Sequence, residues 1–160
     1  MASKGTPATA AVARANVEHR IHEYRHDPAA PSYGLEAAER LGVDPATVFK
    51  TLVADVDGRL AVAVVPAATR LDLKALAAAA GGRKAAMAEP ADAERATGYV
   101  VGGISPLGHR KRLPVFLDES MQGRPAVMVS AGRRGLQLEL APSDLARLSG
   151  GTFAPLATSA

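Results

Sequence analysis

Asp57-Gly58 stands between two apolar, β-prone runs, and few dipeptides commit a backbone so firmly. Asp-Gly supplies the two positive-φ positions of a type I′ turn, whose twist matches that of the strands it joins. Residues 53–65 therefore read as an antiparallel hairpin, with 49–55 leading into it. Further strands are expected over 99–104, 113–117, 126–130 and 136–140. Residues 9–17 are Ala-rich and suit a short amphipathic helix. Residues 19–25 look extended, and Asp27-Pro28 ends them because a residue before proline is pushed out of the α region. Residues 34–41 form a helix with Leu35, Ala38 and Leu41 on one face and Gly42 as its stop. Asp44-Pro45 restarts a short helix, with Asp as N-cap and Pro at N1. Helices are also expected over 71–80 and 90–97, each followed by glycine, and over 142–148, with Gly150-Gly151 beyond it. Strands and helices interleave, and several strands follow one another directly. That pattern is a mixed α/β domain and not a doubly wound one.

The 160 residues are 48% apolar and 22% charged, a globular balance. One domain is expected over residues 6–156, behind a disordered lead of residues 1–5 that reaches towards Pro7. Cysteine is absent. That excludes disulfides, thiolate metal sites, iron–sulfur clusters and a Cys nucleophile. Trp is absent as well, and Phe and Tyr number three each, so the core has to be built from Ala, Val and Leu. The longest apolar run, residues 60–68, contains Pro66 and falls far short of the ~18 residues that span a bilayer. No apolar h-region opens the chain, so a cytoplasmic address without membrane contact is expected. Lys+Arg number 19 and Asp+Glu 16, a net charge of +3. That is too small to establish nucleic-acid binding until the charges are located.

His22-Glu23-Tyr24-Arg25-His26 matches the zinc-protease pattern H-E-x-x-H, which works only on a helix, where i and i+4 share a face. Here the segment is β-like. On a strand the two histidines lie roughly 13 Å apart at ~3.3 Å per residue, and no third ligand follows. No metal and no cofactor are expected. A Ser–His–Asp triad is equally hard to build. His109 is the only histidine outside the N-terminal cluster, and no Ser sits in a Gly-x-Ser-x-Gly elbow. Gly81-Gly82-Arg83-Lys84 and Gly132-Arg133-Arg134-Gly135 match no phosphate loop and read as turns.

Lys50 stands alone between Val48-Phe49 and Leu52-Val53. A lysine there snorkels, is held by a partner, or meets an anion such as a phosphate. Residue type leaves the three open. Gly102-Gly103-Ile104-Ser105-Pro106-Leu107-Gly108 reads as a loop of fixed shape. Its glycines let backbone N–H groups approach a ligand, as in an oxyanion hole. Arg110, Lys111 and Arg112 follow at once and can hold phosphates.

These segments, in this order, resemble the YbaK/EbsC family, and within it the bacterial YbaK-type Cys-tRNA(Pro) deacylases. The matching stretches are Tyr24-Arg25-His26-Asp27-Pro28, Val48-Phe49-Lys50-Thr51-Leu52, Leu71-Asp72-Leu73-Lys74, residues 97–108 and Lys111-Arg112-Leu113-Pro114. Gly135-Leu136 and Glu139-Leu140 match near the end, so the likeness runs from about Thr6 to Phe153. The Gly-Gly-Ile-Ser-Pro-Leu-Gly block is specific. The resemblance implies a YbaK-like editing domain, a mixed β-sheet or barrel-like core packed by helices. It implies hydrolysis of a wrongly charged tRNA in trans, with tRNA(Pro) as partner and no metal, and leaves two modes open, acting alone or docked on prolyl-tRNA synthetase.

By position, Lys50 would hold the tRNA 3′ end near the ester, and backbone at Gly102 and Gly103 would polarise the ester carbonyl. Tyr24, Tyr33, Thr51 and Ser130 would line the pocket, with Ile104, Ser105, Pro106 and Gln137 beside them. In the cysteine-editing members the substrate's own thiol attacks its ester, which asks for no protein nucleophile. Two departures stand out. Gln137 occupies the place of an Asp in the cysteine-editing pattern, and Tyr33 replaces a Phe. They leave cysteine first, and alanine or another small residue second, as the amino acid removed. A non-catalytic tRNA- or synthetase-binding module of the same fold and, more distantly, a metallopeptidase are the competing classes.

Overall fold

The computed structural model describes residues 5–158. Helix α1 (Pro7–Ala15) comes first, then strand β1 (His19–Glu23), helix α2 (Tyr33–Leu41) and a 3-10 turn at Pro45–Thr47. The strands β2 (Phe49–Val56) and β3 (Arg59–Pro66) follow, then β4 (Arg70–Leu71), α3 (Leu73–Ala79), β5 (Ala85–Met87) and α4 (Pro90–Thr97). After a long loop come β6 (Val115–Asp118), a second 3-10 turn at Glu119–Met121, β7 (Val127–Arg133) and β8 (Leu136–Leu140). Helix α5 (Pro142–Ser149) and the short β9 (Thr152–Ala154) and β10 (Ala157–Thr158) complete the described chain. Among the described residues no helix is long and apolar enough to cross a membrane.

Asp57 and Gly58 take φ of 52° and 89°, the left-handed pair of a type I′ turn. They set β2 against β3 in unbroken antiparallel register, from Phe49–Pro66 to Val56–Arg59. The five-stranded sheet built on this hairpin has the order β5-β2-β3-β6-β9, with β6 and β9 joining in parallel. A second, antiparallel sheet has the order β1-β8-β7. A parallel bridge between Val48 and Met128 ties the two sheets at one corner and gives the core its barrel-like closure. The main core lies between the sheets. Phe49, Val53, Val62 and Leu117 meet Val129, Leu136 and Leu138 there, and α1 and α5 add Val12 and Leu145. The other face of the larger sheet is covered by Leu76 of α3 and by Leu156. Apart from Phe49, Phe116 and Tyr99, the buried apolar side chains are aliphatic or Met, as a chain without Trp or Cys requires.

Several sequence expectations change. Thr6 and Pro7 belong to the fold and not to a lead. Thr6 caps α1: its hydroxyl accepts the Thr9 N–H at 3.1 Å, and Thr9 Oγ1 accepts the Thr6 N–H at 2.8 Å. This is a capping box with Pro at N1. The rest of the expected lead, residues 1–4, lies outside the described residues. Residues 99–104 are a loop and not a strand. Gly98 and Gly102 take φ of 83° and 89°, and the Gly103 N–H donates to the Val100 carbonyl at 2.9 Å. Left-handed backbone at two glycines overrides the β propensity of Val100-Val101. Strand β1 stops at Glu23, β6 begins only after Pro114, and β7 runs on through a bulge to Arg133. The strands β4, β5, β9 and β10, two or three residues each, are too short to show a period.

Asp118 pins the C-terminal segment to the sheet. Its buried carboxylate accepts the N–H groups of Leu156 and Ala157 at 2.9 Å each, the Ser120 N–H at 3.2 Å and the Ser120 hydroxyl. Burial pushes this carboxyl up, but the donors from Ser120, Leu156 and Ala157 outweigh it and hold it below the ordinary Asp value. A lowered carboxyl stabilises the fold above its unfolded pKa of about 3.9, and that contribution is lost as pH falls through the folded value. Asp118→Asn sets an amide donor among donors and should cost about 1–3 kcal/mol at neutral pH. Urea unfolding of parent and variant checks this, and the gap between them should close as pH drops below about 4.

Candidate functional site

A cavity of about 790 Å³ opens between the hairpin, α2, α4 and the loop that follows α4. Strand β2 contributes Phe49 to Val53, α2 contributes Tyr33 to Leu35, and the loop contributes Val101, Gly102 and Ile104. Ser130 of β7 and Gln137 of β8, cross-strand partners in the smaller sheet, also line it. Lys50, Thr51, Tyr33, Gly102, Ile104, Ser130 and Gln137, all singled out in the sequence, are thereby brought together.

Strand β2 places Lys50 opposite Val65, half-buried. No protein group among the described residues hydrogen-bonds or ion-pairs with its ammonium, so it is not held by a partner. Burial, and then the Arg70 guanidinium, push its pKa below the usual lysine range. Arg70 lines the same cavity. Two neighbouring cations with no carboxylate paired to them among the described residues form a pole that favours an anion. The cavity also holds the two buried side-chain oxygens that have no hydrogen-bond partner among the described residues, Thr51 Oγ1 and Gln137 Oε1. Leaving such an atom unsatisfied costs about 1–3 kcal/mol, so a ligand that brings donors is favoured there. Ser130 differs, since its hydroxyl accepts the Gly132 N–H at 3.1 Å.

The loop over residues 98–109 is tied down along its length. Glu94 of α4 accepts the Val101 N–H at 2.9 Å, and Gly103 closes a turn on Val100. The Tyr99 hydroxyl donates to the Leu107 carbonyl at 2.6 Å, and burial pushes its pKa up to about 12. His109 Nε2 lies 2.6 Å from the Ser105 carbonyl, and burial lowers its pKa, so the neutral ring donates this bond. Ser105 and Pro106 are buried and stand outside the cavity lining. Gly102 lines the cavity, and no protein acceptor among the described residues takes its N–H. Gly103 does not line it, and its N–H is already bonded. A Cβ on Gly103 would meet backbone of Arg133 and Arg134 at 2.8 and 2.9 Å, so this glycine serves the close approach of loop and hairpin.

Tyr24 also lies outside the lining, against the small cluster of Ala37, Ala38, Val48 and Met128. The two histidines of the H-E-x-x-H match are engaged separately, His22 with Glu139 and His26 with Glu36, at 2.7 Å each. Among the described residues no three His, Asp or Glu side chains are placed to hold a metal. Arg110, Lys111 and Arg112 are exposed at the C-terminal end of α4, where backbone N–H groups of Arg110 and Lys111 bond to Thr97 and Ala96. Arg70, Glu94 and Arg134 were not legible as site residues. Only the placing of Arg134 between two turn glycines, Gly132 and Gly135, hinted at a shaped hairpin end.

A family model described as an aminoacyl-tRNA editing domain matches residues 27–148. The chain belongs to this family. Its activity is accordingly that of an editing deacylase, with aminoacyl-tRNA as the substrate class. The editing domain is 40% identical, over 99% of both chains, to EbsC of Enterococcus faecalis, which is named as a candidate Cys-tRNA(Pro)/Cys-tRNA(Cys) deacylase. It matches a solved structure described as a candidate trans-editing enzyme for prolyl tRNA synthetase, with 27% identity, 99% coverage of both chains and a TM-score of 0.85. A scaffold protein used for epitope backbone grafting matches at 24% identity over the full length of both chains, with a TM-score of 0.86, and supports the fold alone.

Proposed function

We propose that this editing domain deacylates misacylated tRNA(Pro) in trans, without a metal, and that Cys-tRNA(Pro) is its preferred substrate. The polarity of the cavity carries the reading. Lys50 and Arg70, without partners among the described residues, suit the phosphate and ester oxygens of a tRNA 3′ end, and the oxygens of Thr51 and Gln137, unpaired among those residues, suit an α-ammonium donor. Lys50 holds the terminus near the ester, and the Gly102 N–H polarises the carbonyl. The name of EbsC supports tRNA(Pro), and the relative described as a trans-editing enzyme for prolyl tRNA synthetase supports docking on that synthetase. The substrate supplies the nucleophile. The cysteine sulfur attacks its own ester carbonyl, a carbon–sulfur bond forms, and the carbon–oxygen bond to the ribose breaks. The ribose oxygen leaves with the thiol proton, and water opens the thiolactone to free cysteine. Gln137 accepts a hydrogen bond from the ammonium without adding charge; alanine, the second candidate, brings no thiol, so by this route its ester should turn over no faster than the S-methylated one.

The test compares Cys-tRNA(Pro), the same tRNA with its cysteine S-methylated, and Ala-tRNA(Pro), each with and without prolonged EDTA treatment. Cysteine should be released fastest, S-methylation should bring release near the uncatalysed rate, and EDTA should change nothing. Equal rates on thiol and thioether would move the nucleophile off the substrate. An EDTA loss that zinc restores would overturn the metal-free reading.

Arg110, Lys111 and Arg112 bind tRNA phosphates in this account. Replacing all three with Ala should weaken tRNA binding and flatten its salt dependence by up to about one unit of slope for each phosphate no longer neutralised. Stability should move by no more than about 0.5 kcal/mol, as for other exposed charges. Filter binding across a salt series measures affinity and slope, and a melting curve measures stability.

A further inference from the structure

Residues 100–103 form a four-residue turn closed by the Gly103 N–H on the Val100 carbonyl at 2.9 Å, with φ of 89° at Gly102 in its third position. Positive φ there is type II geometry, which differs from type I by a half-rotation of the middle peptide. That peptide consists of the Val101 carbonyl and the Gly102 N–H, and planarity makes the two point in opposite directions. Glycine in the third position tolerates either arrangement, so the turn does not choose its own orientation. Arg134 chooses it. Its Nε and Nη2 donate to the Val101 carbonyl at 3.0 and 2.5 Å, and its guanidinium lies 5.0 Å from the centre of the Tyr33 ring. On the other side of the same residue, the Val101 N–H is held by Glu94 Oε2.

We propose that Arg134 is a positioning residue for deacylation: it locks the middle peptide of this turn, fixes the direction of the Gly102 N–H, and holds Tyr33 at the cavity rim. This rests on the reading of Gly102 as the donor to the ester carbonyl. Arg134 acts through the peptide and does not touch the reacting atoms. Lysine cannot replace it, since an ammonium offers neither the planar fork nor the stacked face.

The experiment uses the full chain as parent, Arg134→Ala and Arg134→Lys. It reads single-turnover deacylation of Cys-tRNA(Pro) at saturating enzyme, tRNA affinity across a salt series, melting temperature, and the residual dipolar coupling of the Gly102 N–H in the free protein, which reports that bond's direction. Both variants should react at least about tenfold more slowly with near-parental melting temperatures. Arg134→Lys should keep the parental affinity and salt slope, and the Gly102 N–H coupling should shift away from its parental value in Arg134→Ala. A parental saturating rate with weaker, less salt-dependent binding would make Arg134 a phosphate contact and overturn the proposal. Full rescue by lysine would overturn it too. If the parent fails to deacylate Cys-tRNA(Pro), the substrate reading falls by itself, and the Gly102 dipolar coupling still decides the clamp. An unchanged Gly102 coupling in Arg134→Ala then overturns it.

Discussion

Lys50→Ala should lower single-turnover deacylation of Cys-tRNA(Pro) by about one to two orders of magnitude while the protein stays folded. The ammonium is half-buried beside Arg70 and has no acidic partner among the described residues, so its charge contributes little to the fold. Towards a tRNA terminus the same charge makes a hydrogen bond worth roughly 1.5–3 kcal/mol, and each 1.36 kcal/mol is tenfold in rate. Lys50→Arg should restore only part of the rate, because a planar fork does not take the place of a compact ammonium. The lowered lysine pKa adds a sign. The charged form is lost on the alkaline side, so the parental rate should fall at a pH below the ordinary lysine value, and Lys50→Ala should lack that limb. Rate profiles and melting curves of the three proteins measure this. A folded Lys50→Ala variant with the parental rate would remove Lys50 from the site.

Gly102→Ala and Gly103→Ala should part company, although the residues are adjacent. At Gly102 an added Cβ would fall 2.8 Å from Arg134 Nε and from the Tyr33 ring, both movable side chains. Relief is available, but it displaces the two groups that orient the turn. The positive φ adds about 1–2 kcal/mol of strain to an L-residue. The expected outcome is a folded protein with about two orders of magnitude less activity, the usual loss when one carbonyl-polarising donor is misplaced. At Gly103 the collision is with backbone, which cannot rotate aside. Gly103→Ala should destabilise the protein by about 1–3 kcal/mol, and the surviving folded fraction should retain more activity than Gly102→Ala. Denaturant unfolding and active-fraction kinetics separate the two. Equal activity losses at equal stability would contradict the different roles given to these glycines.

Much of this architecture is written in local chemistry along the chain. Asp57-Gly58 specified its turn, and glycines at the C-terminal ends of α2, α4 and α5 marked where those helices stop. Lys50 could be picked out because a lone cation in an apolar run needs a reason. The glycine density at 102–108 revealed a shaped loop, though not that Tyr99 to Ile104 would be loop throughout. What stayed hidden depends on residues far apart in the chain. Arg134 meets Val101 across 33 positions, and Asp118 meets Leu156 across 38. Neither leaves a local pattern. Thr51 and Gln137 acquire meaning only when two sheets bring their unpaired oxygens to one cavity. Gly103, adjacent to Gly102 and chemically identical, differs from it only in what its N–H and its missing Cβ meet.

The most direct measurement is single-turnover deacylation by the purified chain of tRNA(Pro) charged with cysteine and, in parallel, with proline. Cys-tRNA(Pro) should be cleared far faster than it decays alone, while Pro-tRNA(Pro) persists at its spontaneous rate. Binding of both tRNAs with no acceleration of either would contradict the enzyme reading and leave a tRNA-binding module of the same fold.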